Sequence, residues 1–450
     1  MTGKELLFKV LRHEEAPRVP WVPFTGIHAG YLKGYTASQV LQDSNLLAES
    51  IEEAARLYKP DGIPVSFDLQ LEAEILGCEL HWAEDSPPSV ISHPLGDSRQ
   101  VPSIRLQPGQ GRLGVVLDAM ERLKSTVGKD TALYGLFCGP FTLASHLRGS
   151  TLFMDMMKDP DYTKELIDRC TDAALDMASM YADQGADVVT PVDPLLSQIS
   201  PKHFSLYCEE NYRRIFDYIR SRGTFSAFFV CGNAIRNIEG MCRTAPDAVS
   251  VDENLDMAEA QKITKRYNIC LGGNIPLSTV MLYGTQQDNM KAVLHLIDTL
   301  ENKNLIISPG CDMPYAVPVQ NGIACAQAVH DPETARKVVK DYRETDATAG
   351  IQVNLPDYEH LEKPLLEVFT LDPEACAACT YMLNVAQSAK QELGDVVTMA
   401  EYRYNKLEDI ARMKKQGIRN LPSLYINGKL KYDSLIPGKE ELINELRSLL

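Results

Sequence analysis

Along residues 1–345 short apolar runs alternate with longer segments of helical period. Runs of β-branched, aromatic and small apolar residues at 20–24, 62–67, 132–137, 187–191, 225–230, 248–251, 269–271 and 304–307 read as buried parallel strands. Between them, 46–58 sets Leu47, Ile51, Ala54, Ala55 and Tyr58 on one helical face, and 204–222 runs into Gly223, a helix-ending residue. Further helices are expected at 113–127, 161–184, 256–267, 286–300 and 331–343. Eight strand–helix alternations predict an α/β fold, a (βα)8 TIM barrel over 1–345. A doubly wound open sheet is the alternative; no Gly-x-Gly-x-x-Gly turn follows the first strand to favour it. The Pro- and Ser-rich stretch 78–110 reads as an excursion carrying a small hairpin.

Residues 346–362 lack a period and contain turn formers, which marks a linker. A second, smaller unit follows over 363–450. Its order is a strand at 365–371, Cys376-x-x-Cys379, a helix to Leu393 stopped by Gly394, a strand at 396–400 and a helix at 406–416. Leu421-Pro422 then precedes a strand, Asn427-Gly428 signals a hairpin turn, and a helix spans 440–449.

Catalytic groups of a (βα)8 barrel lie at the C-terminal ends of its strands. The tips here carry Thr25 and His28, Asp68, Cys138, Asp193, Cys231 with Asn233, Asp252, Asn274, and Cys311 with Asp312. A carboxylate, thiol or amide at nearly every tip predicts an active-site rim. Asp68, Asp193 and Asp252 are the catalytic candidates, and His28, His146, Asn233 and Asn274 the substrate-binding ones.

Composition narrows the function. A net charge of −16 argues against a nucleic-acid partner, and neither a Lys/Arg run nor an apolar run of membrane length is present. No apolar signal core opens the chain, so a cytoplasmic location is expected. Eleven scattered cysteines in a reducing compartment read as thiols, metal ligands or redox groups. Cys231 and Cys311, on different tips, are able to hold zinc if a third ligand joins them from His28, His146, Asp193, Asp252 or Asp312; two buried structural cysteines are the alternative. Cys376 and Cys379 at a strand-to-helix junction form a redox dithiol, because a helix N-terminus lowers the first thiol's pKa and the second lies one turn on. A zinc half-site is the alternative there.

The element order, Cys376-x-x-Cys379 and Leu421-Pro422 resemble the thioredoxin fold. That resemblance implies that Pro422 is cis and sits beside the dithiol, while Ala375 replaces the usual Trp. Residues 1–345 resemble the uroporphyrinogen decarboxylase superfamily through a series of landmarks. The first are Arg18-Val-Pro20, Phe67-Asp68 with Glu72-Ala-Glu-Ile-Leu-Gly77, Gly139-Pro-Phe-Thr-Leu-Ala144 and Leu147-Arg-Gly149. Ile199-Ser-Pro201, Leu271-Gly-Gly-Asn-Ile-Pro276, Tyr283-Gly-Thr285 and Ser308-Pro-Gly-Cys311 continue it. Decarboxylases of this superfamily open with an arginine-rich stretch for a polycarboxylate; here Pro23-Phe-Thr-Gly-Ile-His-Ala-Gly30 stands instead, though Asp68 matches their catalytic aspartate. The corrinoid-dependent methyltransferase branch binds zinc with a His-x-Cys pair and a later Cys. Cys231 and Cys311 match those cysteines, and Phe229 replaces the histidine. The resemblance implies a zinc-dependent methyltransferase moving a methyl group between a corrinoid and a thiol or other small acceptor. No Asp-x-His-x-x-Gly motif anchors a corrinoid here, so it is expected on a partner protein. Porphyrinogen decarboxylation and a non-catalytic redox adaptor are the rival readings.

Overall fold

The structure is a computed structural model that describes residues 1–371 and 376–450; Ala375 lies outside the described residues. It divides into two compact units, one of Met1–Leu196 with Ser200–Thr345, the other containing Asp346–Leu450.

The first unit is built on β1 (Gly62–Pro64), β4 (Ala132–Cys138), β5 (Val188–Val192), β6 (Phe225–Val230), β7 (Ala248–Val251), β8 (Cys270–Ile275) and β9 (Leu305–Pro309), with β2 (Leu80–His81) and β3 (Ser89–Val90) forming the expected small hairpin. The seven long-range strands pair in parallel in the order β1-β4-β5-β6-β7-β8-β9. Residues 20–24 supply the eighth stave. Val22 donates its amide to the Ile307 carbonyl at 2.9 Å, and on the other side the Asp61 amide donates to the Trp21 carbonyl at 2.8 Å. The sheet therefore closes on itself as a TIM barrel. The eighth stave is reduced to a bridge between Trp21 and Ile307 because Pro20 and Pro23 have no N–H to extend a ladder.

Alternation along β6 shows how the strands serve two layers. Phe228 faces outward, its ring 4.1 Å from Tyr212 on the helix Glu209–Ser221. Phe229 faces inward, 4.7 Å from Phe24 and 5.8 Å from Phe67. Phe24 and Phe67 directly precede the tip residues Thr25 and Asp68, and Phe229 lies two residues before Cys231, so the three rings form one packed layer beneath the rim. The expected helix at 204–222 divides at Cys208 into Pro201–Tyr207 and Glu209–Ser221. Ser44–Tyr58 starts on Asp43, whose carboxylate accepts from the Asn45 and Leu46 amides.

In the second unit β10 (Leu365–Thr370), β11 (Thr398–Arg403), β12 (Ser423–Ile426) and β13 (Lys429–Asp433) form a mixed sheet in the order β11-β10-β12-β13. Asn427 and Gly428, at φ of 50° and 72°, make the tight turn between β12 and β13. The second strand begins later than the pattern at 396–400 suggests, because Gly394–Val396 is a helical turn. Leu366, Val368, Met382, Ala386, Leu424 and Leu442 centre its core. Residues 346–362 carry no helix or strand, yet Tyr358 donates to the buried Glu367 at 3.1 Å and Arg412 reaches the same carboxylate at 2.6 Å. This stretch is thereby pinned to the second unit. No helix among the described residues is long and apolar enough to cross a membrane.

Candidate active site

Parallel strands in a closed barrel end on one rim, and the rim brings Cys231 and Cys311 together with their sulfurs 2.6 Å apart. Asp252, at the tip of β7, braces this pair. One of its oxygens accepts from the Gly232 amide at 2.9 Å, and the other accepts from the Asn254 amide at 2.8 Å and from its side chain. Burial raises the Asp252 carboxyl. Glu253, next in the chain, packs under Gly310, where a Cβ would come 2.5 Å from the Glu253 amide nitrogen. Its carboxylate accepts from the Leu277 amide, and burial together with Asp252 pushes it up to about 8. Glu253 carried no separate signal in the sequence; only its place after a strand-tip aspartate pointed to it.

Asp68 centres a second cluster. It accepts from the Gln70 amide at 2.9 Å and from Arg112, whose guanidinium also reaches Glu74 at 2.6 Å and stacks 4.8 Å from the Trp82 ring. Glu72 is buried beside it. One oxygen accepts from the Cys138 amide at 3.0 Å, the other has no hydrogen-bond partner, and burial pushes the carboxyl up to about 8. Asp312 packs against Gly26, where a Cβ would fall 1.9 Å from its carboxylate; burial and the nearby Asp68 charge raise it well above the usual range. His146 is buried on the helix Pro140–Arg148, held neutral by burial and His93 at a pKa of about 4, with Nε2 unpaired. Arg112 and Glu72 were not legible as rim residues, since they come from a helix start and a short helix rather than from strand tips.

The rim does not gather every candidate. Asp193 turns toward the start of Pro140–Arg148, accepting from the Phe141 and Thr142 amides at 3.0 and 3.1 Å, from the Thr142 hydroxyl at 2.6 Å and from the Tyr212 hydroxyl. His28 is committed at both nitrogens, Nδ1 to the Tyr315 carbonyl at 2.8 Å and Nε2 to the Tyr58 hydroxyl at 2.7 Å. Burial lowers its pKa to about 4, and a carbonyl at Nδ1 sets the neutral tautomer with Nε2 accepting. Asn274 donates to the Asp252 and Leu255 carbonyls at 2.9 and 2.8 Å, bracing the β7 loop. Asn233 follows Cys231 in its loop, its side-chain oxygen 3.4 Å from the Ile235 amide. The donor set for a metal is thus two thiols; among the described residues no group of three or more His, Cys, Asp or Glu is placed to hold an ion. These residues do not complete a zinc site.

In the second unit Cys376 caps the helix Ala377–Leu393, its sulfur accepting from the Cys379 amide at 3.3 Å. The Cys379 sulfur is buried and accepts from the Leu371 amide at 3.3 Å. Cys376 is the partly exposed member and stands at the N-cap of that helix. The Leu421–Pro422 peptide bond is cis.

The sequence model of the family described as uroporphyrinogen decarboxylase (URO-D) matches residues 2–332. The chain belongs to the uroporphyrinogen decarboxylase family. A thioredoxin-domain model matches residues 366–447. Within the family, the chain is 26% identical over 336 residues to a methylcobamide:CoM methyltransferase of Methanosarcina acetivorans, covering 72% of this chain and 98% of that protein. It is 27% identical over 338 residues to the Methanosarcina mazei counterpart, with the same coverage. A uroporphyrinogen decarboxylase of Prochlorococcus marinus is 22% identical over 289 residues, 62% of this chain and 81% of its own length. The solved structure of a methyltransferase from Methanosarcina mazei superposes with a TM-score of 0.68 at 22% identity, over 74% of this chain and 99% of that one, which supports the family fold.

The buried Glu72 gives this family member a pH signature. Its folded pKa of about 8 lies above the ordinary 4.5, so the folded state binds the extra proton and the associated stability is lost as pH rises through 8. His28 and His146, held neutral, act with the opposite sign but only below the ordinary 6.5. Between pH 6.5 and 8 the unfolding free energy is expected to fall with pH, with Glu72 and Glu253, both raised to about 8, each contributing at most about 1.4 kcal/mol per unit. Glu72→Gln is expected to reduce that slope in denaturant titrations, leaving the share due to Glu253; an unaltered slope would show that Glu72 titrates normally.

Proposed function

We propose that the barrel transfers a methyl group from a corrinoid carried by a partner protein to a small thiol. The observation that carries this reading is the pair of thiols meeting at the rim beside two carboxyls of raised pKa. Similarity across nearly the whole length of two methylcobamide:CoM methyltransferases supports it.

A thiol acceptor attacks as the thiolate, so its proton needs a base of pKa near the working pH. Glu253, raised to about 8 beside the tip that carries Cys311, meets that need; Asp252 keeps the Cys231 loop in place through the Gly232 amide. When the methyl group passes to sulfur, the cobalt–carbon bond breaks with both electrons left on the corrinoid, and the acceptor's proton rests on the carboxylate. Cys231 and Cys311 are the donors that a zinc ion would take on this rim. Their set lacks a third protein ligand among the described residues, so no step is assigned to a metal.

Porphyrinogen decarboxylation is the second reading, favoured by the Asp68–Arg112 pair. That guanidinium is engaged by Asp68 and Glu74, which leaves little positive charge for a substrate with many carboxylates.

Incubation of the full chain with methylcobalamin and 2-mercaptoethanesulfonate tests the proposal. Methylated thiol is expected, and Glu253→Gln should lower kcat about a hundredfold while removing the ionisation near pH 8 from the rate profile. Consumption of uroporphyrinogen without any methyl transfer would replace this reading with the second.

A further inference from the structure

The barrel unit holds nine of the chain's cysteines, and seven of these are buried with their thiols raised by burial. Cys231 and Cys311 are the two that are partly exposed, and they are also the two that meet. Their sulfurs are 2.6 Å apart, so the two thiols can join without moving either strand tip.

The surroundings point the same way. Position 229, two residues before Cys231 on the same strand face, is a phenylalanine locked between Phe24 and Phe67. The Asp252 carboxylate beside the pair has both oxygens occupied by Gly232 and Asn254. A thiol pair with solvent access and no third ligand among the described residues has the chemistry of a redox couple. The same chain carries a second dithiol in a thioredoxin domain, with Cys376 partly exposed at a helix N-terminus and Cys379 buried behind it.

We infer that Cys231 and Cys311 form a reversible disulfide whose reductant is the Cys376–Cys379 dithiol. With a peroxide as oxidant, one barrel thiolate attacks a peroxide oxygen and becomes a sulfenic acid as the O–O bond breaks. The other thiol then displaces water from it, so hydrogen peroxide and two thiols give one disulfide and two waters. In the return direction the Cys376 thiolate attacks one barrel sulfur, and the other barrel sulfur leaves and takes a proton. Cys379 then attacks Cys376, releasing the second barrel thiol and leaving a Cys376–Cys379 disulfide. Two electrons pass from the dithiol to the barrel pair.

The experiment uses the full chain and needs no methyl-transfer readout, so it stands or falls independently of the proposed activity. After brief treatment with hydrogen peroxide and alkylation, proteolysis and mass spectrometry are expected to find a peptide pair joining Cys231 to Cys311. It should vanish on treatment with dithiothreitol and be absent from Cys231→Ser. In Cys379→Ser the second attack is blocked, so a mixed disulfide joining Cys376 to Cys231 or Cys311 should accumulate when the barrel pair is oxidised beforehand. Two results overturn the inference. One is a barrel pair that alkylates fully after peroxide, including the case in which a stoichiometric zinc ion protects it. The other is an oxidised pair that Cys379→Ser leaves with no bond to Cys376, which removes the dithiol as reductant.

Discussion

Asp193→Ala is expected to destabilise the barrel by about 3–5 kcal/mol, whatever it does to turnover. The carboxylate is fully buried and receives four donors: two backbone amides at the start of Pro140–Arg148, the Thr142 hydroxyl and the Tyr212 hydroxyl. Alanine leaves all four without an acceptor in a dry site, at about 1–3 kcal/mol for each that water cannot reach. Asp193→Asn keeps the volume but turns an NH2 toward donors, so it should recover only part of the loss. Urea unfolding of the full chain, followed through the barrel's transition, is the measurement. An Asp193→Ala protein with wild-type stability and no activity would instead make this carboxylate a participant in the chemistry.

Phe229 carries the second large effect. Its ring closes the aromatic layer under the rim against Phe24 and Phe67, and truncation to alanine should remove about 3–5 kcal/mol through the cavity left behind. Phe229→His tests a different property of the same position. An imidazole there would share a strand face with Cys231, close to Cys311, and supply the third ligand the wild-type rim lacks. The expected result, by elemental analysis after dialysis, is about one zinc per chain in Phe229→His and far less in the wild type. Equal zinc in both proteins would show that the wild-type site is completed by a donor other than residue 229.

Much of the architecture was readable because buried parallel strands write themselves as uninterrupted apolar runs, as at β6, where residues 225–230 match the observed bounds. The pattern failed where another requirement shaped the residues. β8 runs through Gly272 and Gly273 to Ile275, beyond the expected 269–271, because glycines carry little strand signal of their own. The helix Val319–His330 escaped notice since seven of its twelve residues are buried and small residues replace the usual polar stripe. At the site, the strand tips were legible but their commitments were not. His28 is held by Tyr315, 287 positions away, and Asp193 by Tyr212, 19 positions away, partnerships that no local spacing records. Glu72 and Glu253 differ from the chain's exposed glutamates only in their desolvated surroundings, a property conferred by the folded chain rather than by their neighbours in sequence.

The eighth stave, hydrogen-bonded to Ile307 on one side and to Asp61 on the other, also has a consequence for how the protein is made. Trp21 leaves the ribosome well before its β9 neighbour Ile307 is synthesised, and at about 5–20 residues per second the wait lasts on the order of tens of seconds. During that interval both margins of the growing sheet are unpaired, the arrangement most open to strand exchange with another nascent chain. Closure cannot precede the synthesis of β9, and this segment's proline-interrupted ladder offers a waiting chain fewer bonds to steal than a regular strand would.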